Sequence, residues 1–360
     1  MADPFTKPSF APRLRYFCEY LTRRGWVLDV YTEKCADIPF EHTYPIHEIP
    51  FYRSRVDWMV KAAWSLLTDW KDRYFTRQVR RQIAGKQYDA VFCTTFSTFP
   101  LGTALAISKE RSLPLYVDIR DLDEQMPKTL FIEHNTWWSR PFQSWYIHIN
   151  RCRRNRAIRA AKCVTTISPW HVDFIRQLNP NVHLIYNGYD PSRFYPKDVR
   201  SDKFLVSYLG RFYQFRNIEP IRQAIDALGN PEIVLNLHTP NHNPLPISAV
   251  LDEMHRSSIM VVLTSNYTKG VMTTKFYEAL GCEKPVLCYP DDHGILAETI
   301  RRTNAGVVAD TVEEIQQFIL TKYAEWKQNG FTRQQVDIQA KNAFSRLEEA
   351  KQMEELLLSP

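Results

Sequence analysis

Glycine is scarce in this chain, 11 of 360 residues, and neither glycine-rich phosphate loop, G-x-G-x-x-G or G-x-x-x-x-G-K-[ST], occurs. The simplest dehydrogenase and P-loop readings are thereby excluded. The sequence also lacks H-E-x-x-H, G-x-S-x-G and an acidic EF-hand loop, so zinc-protease, serine-hydrolase and calcium-sensor chemistry have no support. No apolar run approaches the eighteen or so residues that a spanning helix needs. The opening MADPFTKPSF has no charged segment followed by an apolar one, so no secretory leader is read there. The seven cysteines (Cys18, Cys35, Cys93, Cys152, Cys163, Cys282, Cys288) include no C-x-x-C pair and no histidine partner at zinc-finger spacing. They read as reduced thiols of a cytoplasmic protein, and no metal site is expected.

What is present describes a folding chain: 44% hydrophobic, 13% aromatic and 24% charged residues, over a length that suggests about two domains. A helix is predicted from Pro12, with Leu14, Phe17 and Leu21 at helical spacing and Gly25 as its stop. Strands are predicted over 26–31, 89–94, 115–119, 164–167 and 183–186, with a helix over 101–110. Residues 187–203, NGYDPSRFYPKDVRSDK, are polar, turn-rich and twice broken by proline, which is how a linker reads. A second pattern follows, with strands over 204–209, 233–237, 259–263 and 285–288 and helices over 219–228 and 275–280. Strands alternating with helices mean parallel α/β sheets, here two in tandem. We therefore expect an N-terminal domain over 1–190, a C-terminal domain over 204–341, and an amphipathic closing helix within 342–360 that crosses back to the first domain. A doubly wound domain normally opens on a buried strand, whereas this chain opens on what reads as the loop after it, so a first strand is expected to be missing.

Two segments carry candidate chemistry. FLVSYLGRFYQFR, 204–216, is a strand ended by Gly210 and followed by Arg211 and Arg216; guanidinium forks match phosphate oxygens, and the next helix N-terminus adds N–H donors. Two solvated arginines on a surface loop are the alternative. In KGVMTTKFYEALGCEKPVL, 269–287, Lys275 and Glu278 lie one helical turn apart, the spacing of a common surface ion pair. Their position lifts them above it, because the stretch follows an apolar strand and falls where open α/β sheets bind ligands.

At this point the chain resembles retaining glycosyltransferases of the GT-B type, in the large family 4, from about residue 12 to about 319. RLRYFCEYLTRRGWVLDVYT is similar to the family's first helix and second strand, and the stretch from YDAVFCTTF to VDIRDL to one ending in Arg-Asp or His-Asp. HLIYNGYDPSRF resembles its hinge, FLVSYLGRFYQFRNIE its basic phosphate loop, and TTKFYEALGCEKPVL the segment ending in the second glutamate of an E-x7-E pattern. The resemblance implies two Rossmann-like parallel-sheet domains facing a cleft. It further implies that Arg211 and Arg216 hold the diphosphate of a nucleotide sugar, UDP- or GDP-linked, beside Gly210 and Lys275, while Glu278 accepts from the ribose hydroxyls. The position of the first glutamate is Gly270, so backbone N–H groups of Val271, Met272 and Thr273, with Thr274, are expected to take over its contact with the donor sugar. In the first domain Arg120 falls where many relatives carry a histidine, with Asp118 and Asp121 on the acceptor side; Asp121 as a helix cap paired to Arg120 is the alternative. His134 and His171 read as ordinary surface or capping histidines. The implied activity is transfer of a sugar to a glycan or lipid-linked acceptor, with no cofactor and no metal, in bacterial surface polysaccharide synthesis. A catalytically silent relative that binds a sugar nucleotide or a partner enzyme is the alternative that Gly270 keeps open.

The net charge of +6 comes from 46 basic against 40 acidic residues. It is unevenly placed. Residues 53–86 hold nine basic residues against three acidic, interleaved with Trp58, Trp64 and Trp70. Residues 131–162 hold seven against Glu133 alone, with Trp137, Trp138 and Trp145. Basic residues near tryptophan suit an anionic membrane surface, so a peripheral position on the inner face of the membrane is expected, against the alternative of core tryptophans and solvated helix faces. Nucleic-acid binding is not expected, for want of any RNA-binding signature.

Overall fold

Runs of four to six apolar residues, too short for helices, become strands that are buried on both faces once helices cover a parallel sheet. The computed structural model describes residues 12–34, 42–52, 56–57, 61, 64, 68–95, 98–124, 140–210, 216–240, 243–265 and 272–359. The chain divides into two units, Met1–Tyr186 with Ala350–Pro360, and Asn187–Glu349. Residues 187–203 thus go with the second unit.

In the first unit, helix α1 (Pro12–Arg23) precedes β1 (Val30–Glu33), which pairs in parallel with β2 (Ile46–Ile49). Then follow α2 (Trp70–Gln82), β3 (Val91–Thr95), α3 (Leu101–Arg111), β4 (Leu115–Ile119), α4 (Arg140–Ala160), β5 (Cys163–Thr166), α5 (Pro169–Arg176) and β6 (Val182–Leu184). Strands β3 to β6 form a parallel sheet in chain order, in which Asp118 lies opposite Thr94 on one side and Thr165 on the other. Alternate residues of β3 serve two cores, as the two-residue period of a strand requires. Val91 and Cys93 join Phe75, Val79 and Leu101 of α2 and α3, while Phe92 packs on a cluster of Leu14, Phe17 and Leu21 from α1 with Met353 from near the end of the chain.

The strand predicted over 26–31 begins only at Val30. Gly25 takes φ 88° at the end of α1, the Trp26 backbone N–H turns back to the Leu21 carbonyl at 3.1 Å, and Val27 is 95% exposed. The turn that stops the helix consumes residues that the apolar pattern had given to the strand.

In the second unit, β7 (Phe204–Leu209), α6 (Glu219–Leu228), β8 (Ile233–His238), α7 (Ile247–Arg256), β9 (Ile259–Leu263), α8 (Thr274–Gly281), β10 (Val286–Tyr289), α9 (Ile295–Arg302) and β11 (Gly306–Val308) lead to α10 (Val312–Asn329) and α11 (Ile338–Asn342). The parallel sheet has the order β11-β10-β9-β7-β8. Helix α10 starts on a reciprocal cap, with the Thr311 hydroxyl accepting from the Glu314 N–H and the Glu314 carboxylate accepting from the Thr311 N–H. The last helix, α12 (Arg346–Leu358), begins in the second unit, and from Ala350 its residues belong to the first. The six described cysteines are free, and Cys152 is the exposed one among them; Cys35 lies outside the described residues. No described helix is long and apolar enough to cross a membrane.

Candidate functional site

The strand order places a topological switch in the second sheet. From β7 the chain moves to β8 on one side and then crosses to β9 on the other, so the loops leaving β7 and β9 part company above the carboxyl ends of the two strands. Such a crevice is where open α/β sheets bind ligands.

Gly210 ends β7, with its N–H bonded to the His238 carbonyl at 2.8 Å and φ at 153°. A Cβ built there would lie 1.9 Å from Lys275 Cε and 2.4 Å from Nζ. The absent side chain is therefore the space in which Lys275 lies, bringing an ammonium to the strand end. Lys275 comes from the first turn of α8, whose preceding residue, Thr273, is extended and makes no side-chain cap. The first N–H groups of that helix have no intrahelical acceptor, which favours an anion there. Burial lowers the pKa of Lys275, the nearby Arg216 lowers it further, and Glu278 raises it. Glu278 is half-buried on the same helix face; burial raises its pKa while Lys275, Arg346 and Arg193 pull it down. Met272 is buried, Thr273 half-buried and Thr274 exposed in the approach to α8.

Of the residues expected to hold the donor, Gly210, Arg216, Lys275 and Glu278 thus belong to one end of one sheet. Arg211, Gly270 and Val271 lie outside the described residues, as do His134, Trp58, Trp137 and Trp138. Sequence reasoning missed Arg193 and Arg346. Arg193 stands inside the NGYDPSRF segment, where Gly188 lets the chain pass the 344–346 backbone, a Cβ there lying 2.5 Å from the Phe344 carbonyl oxygen. The Tyr189 N–H donates to that carbonyl at 3.0 Å, and the Arg346 N–H to the Tyr189 carbonyl at 2.8 Å. This hinge-like motif brings both arginines toward Glu278.

In the first unit, Asp118 has a carboxylate that is only 1% exposed. Its Oδ1 accepts from Arg13 Nη2 at 3.2 Å and Thr165 Oγ1 at 2.8 Å, and its Oδ2 from Arg13 Nε at 3.3 Å and Thr94 Oγ1 at 2.8 Å. Burial pushes its pKa up, but Arg13, Arg120 and the two hydroxyls hold it below the ordinary value. Asp118 therefore ties three strands to α1, and its oxygens are spent inside the unit. Arg120, also buried, follows it, its N–H donating to the Thr95 carbonyl. Asp121 is shifted the other way: burial raises its pKa to about 6 against the pull of Arg120.

His171 is neither a surface nor a capping residue. It is 2% exposed, its Nδ1 lies 3.0 Å from Thr166 Oγ1, and burial together with Arg154 depresses its pKa to about 4. Arg154, equally buried, meets Asp123 and Glu124 at 2.6 Å each, and Arg151 meets Asp123 at 2.6 Å. A sequence signal existed for this network, the acidic Asp123-Glu124 pair ahead of a run of arginines.

Residues 10–188 match the family model described as the glycosyl transferase 4-like domain. Among solved structures, HepE of Anabaena in complex with UDP and glucose is 16% identical over 99% of this chain and 98% of its own, with a TM-score of 0.66. Sucrose-phosphate synthase from Thermosynechococcus elongatus is 16% identical over 96% and 91%, with a TM-score of 0.64. The catalytic domain of starch synthase IV from Arabidopsis thaliana, bound to ADP and acarbose, is 12% identical over 99% and 97%, with a TM-score of 0.54. The fold is GT-B. No curated protein matches the chain. In GT-B terms, the first unit carries the family match, and the switch-point crevice lies in the second.

Proposed function

We propose that the protein is a retaining glycosyltransferase that moves a sugar from a UDP- or GDP-linked donor to a glycan or lipid-linked acceptor, in the synthesis of a surface polysaccharide. The observation that carries this reading is the Lys275 ammonium lying across Gly210 at the switch point, with Arg216 near it and the open N-terminus of α8 behind it. A departing nucleoside diphosphate develops negative charge, and fixed cations stabilise that charge more in the transition state than in the ground state. Arg216 and Lys275, with Arg211, hold the diphosphate, and no metal is needed to balance it. Glu278 receives the ribose hydroxyls. Backbone N–H groups from Val271 to Thr274 hold the donor sugar where Gly270 supplies no carboxylate. The leaving phosphate takes the acceptor proton on the same face of the sugar, while Arg120 and Asp121 serve the acceptor side.

The likeness to GT-B structures described with UDP, UDP-glucose and ADP supports a nucleotide-sugar donor. The test is a thermal-shift panel of UDP, GDP, ADP and nicotinamide dinucleotides on the parent and on Lys275→Ala. A ligand at a hundred times its Kd adds about 2.7 kcal/mol of stability. One nucleoside diphosphate should shift the parent and leave the variant unmoved; a panel without response overturns the reading. Binding without release of nucleoside diphosphate from any sugar donor would instead make the protein a silent relative.

A further inference from the structure

We propose that the outward face of α4 docks the protein on an anionic lipid bilayer. The helix runs RPFQSWYIHINRCRRNRAIRA and contains no acidic residue. Its inner face is fastened to the first unit by Arg151 and Arg154 on Asp123 and Glu124, and by Ala157 and Ile158 in the core. Steps of three and four residues along the opposite face lead from Trp145 through His148, Cys152 and Arg156 to Arg159, all exposed. At 100° per residue these five span about 80° of the helix circumference, so they form one stripe.

Its two ends have different chemistry. Trp145, 40% exposed, is a large ring left in water at the amino end, and Tyr146, 38% exposed, flanks it about 100° round the helix. Arg156 and Arg159 stand about 16 Å and 21 Å further along, at 1.5 Å per residue, and neither makes an ion pair with a described residue. At the arginine end Cys152, Asn155, Arg156, Arg159 and Ala160 line an open surface hollow of about 430 Å³. Rings at headgroup depth beside guanidinium groups suit a helix lying in the plane of the interface. Charge complementarity makes the occupant an anionic surface. The other basic, tryptophan-bearing stretch is differently built. Lys61, Lys71, Arg73, Arg80 and Lys86 are already paired with Asp57, Glu33, Asp69, Glu110 and Asp29, and Trp70 packs on Phe51 and Tyr74.

Cys152, in the middle of the stripe, offers the readout. An environment-sensitive fluorophore is attached there in a Cys35→Ser protein, and its emission is followed with vesicles of phosphatidylcholine alone or mixed with phosphatidylglycerol. Emission should move to the blue only with the anionic vesicles, and the shift should vanish at high salt. Each basic group beside such a surface contributes roughly fivefold, so Arg156→Gln with Arg159→Gln should weaken partitioning about 25-fold while nucleoside diphosphate binding is unchanged. Flotation of unlabelled parent and Trp145→Ala provides a second measurement, the variant floating less. The proposal is overturned by equal response to both vesicles, by none, or by an undiminished response in a folded double variant. Binding of a short oligonucleotide without vesicle binding, or a dimer that shields Cys152, overturns it as well.

Discussion

A methyl group at position 210 would occupy the volume of the Lys275 side chain, so Gly210→Ala should dislodge that ammonium while leaving every charge in the sequence unchanged. We expect at least tenfold weaker nucleoside diphosphate binding by calorimetry, and no further loss when Lys275→Met is added, because both changes remove one interaction. A second consequence at this scale concerns pH. His171 has a folded pKa near 4 against an ordinary 6.5, so between those values the unfolded chain binds a proton that the folded chain refuses. Its contribution is full above pH 6.5 and falls away as the pH drops toward 4. Asp72 and Asp121, both raised to about 6 from 3.8, act in the opposite sense and cost stability as the pH rises through that window. Melting temperatures of His171→Gln measured from pH 4 to 7 should therefore gain on the parent toward the acid end.

Among the elements, α4 depends most on charge. Its arginines at 151 and 154 do the work that leucines do elsewhere, with Arg154 ranking among the largest fully buried side chains. Replacing it by methionine removes its bonds to Asp123 and Glu124, which keep Arg151 as a partner, and the loss of hydrogen bonds to charged groups costs about 1.5–3 kcal/mol; urea unfolding of Arg154→Met should show it. The same feature explains what could be read in the sequence. Strand β9 is a continuous apolar run and β4 and β7 are apolar but for Asp118 and Ser207, so all three stand out in the sequence, as does α6, bounded by Glu219 and Gly229. Helix α4 shows no apolar stripe, since ion pairs line its inner side. The approach of Lys275 to Gly210 joins residues far apart in sequence, and only the order of the strands brings them together. Asp118 was legible as a carboxylate at a strand end, but Arg13, Thr94 and Thr165, which absorb it, come from three other elements. His171 looked ordinary because nothing local marks a residue for burial beside Arg154.

At the scale of the whole molecule, the first unit is made of two separated pieces of chain. Glu354 joins them: its carboxylate accepts from the Tyr20 hydroxyl at 2.8 Å, the Trp26 indole at 2.9 Å and Arg24 at 3.4 Å. Hydrogen bonds to a charged group contribute roughly 1.5–3 kcal/mol, so Glu354→Ala should speed amide exchange in α1 while amides in β7 and β9 keep their protection. Ending the chain at Glu349 should have the larger effect of the same kind, because it also removes Ala350 and Met353 from beneath Leu14 and Phe17.

That clasp also sets an order of events during synthesis. A ribosome delivers Glu354 to Tyr20 only after 334 residues of further chain, and nearly all of the second unit is made before α12. The second unit can begin to close on itself while the first-made half still awaits α12. Until then, the apolar side of α1 is the surface on which a chaperone would find this nascent protein.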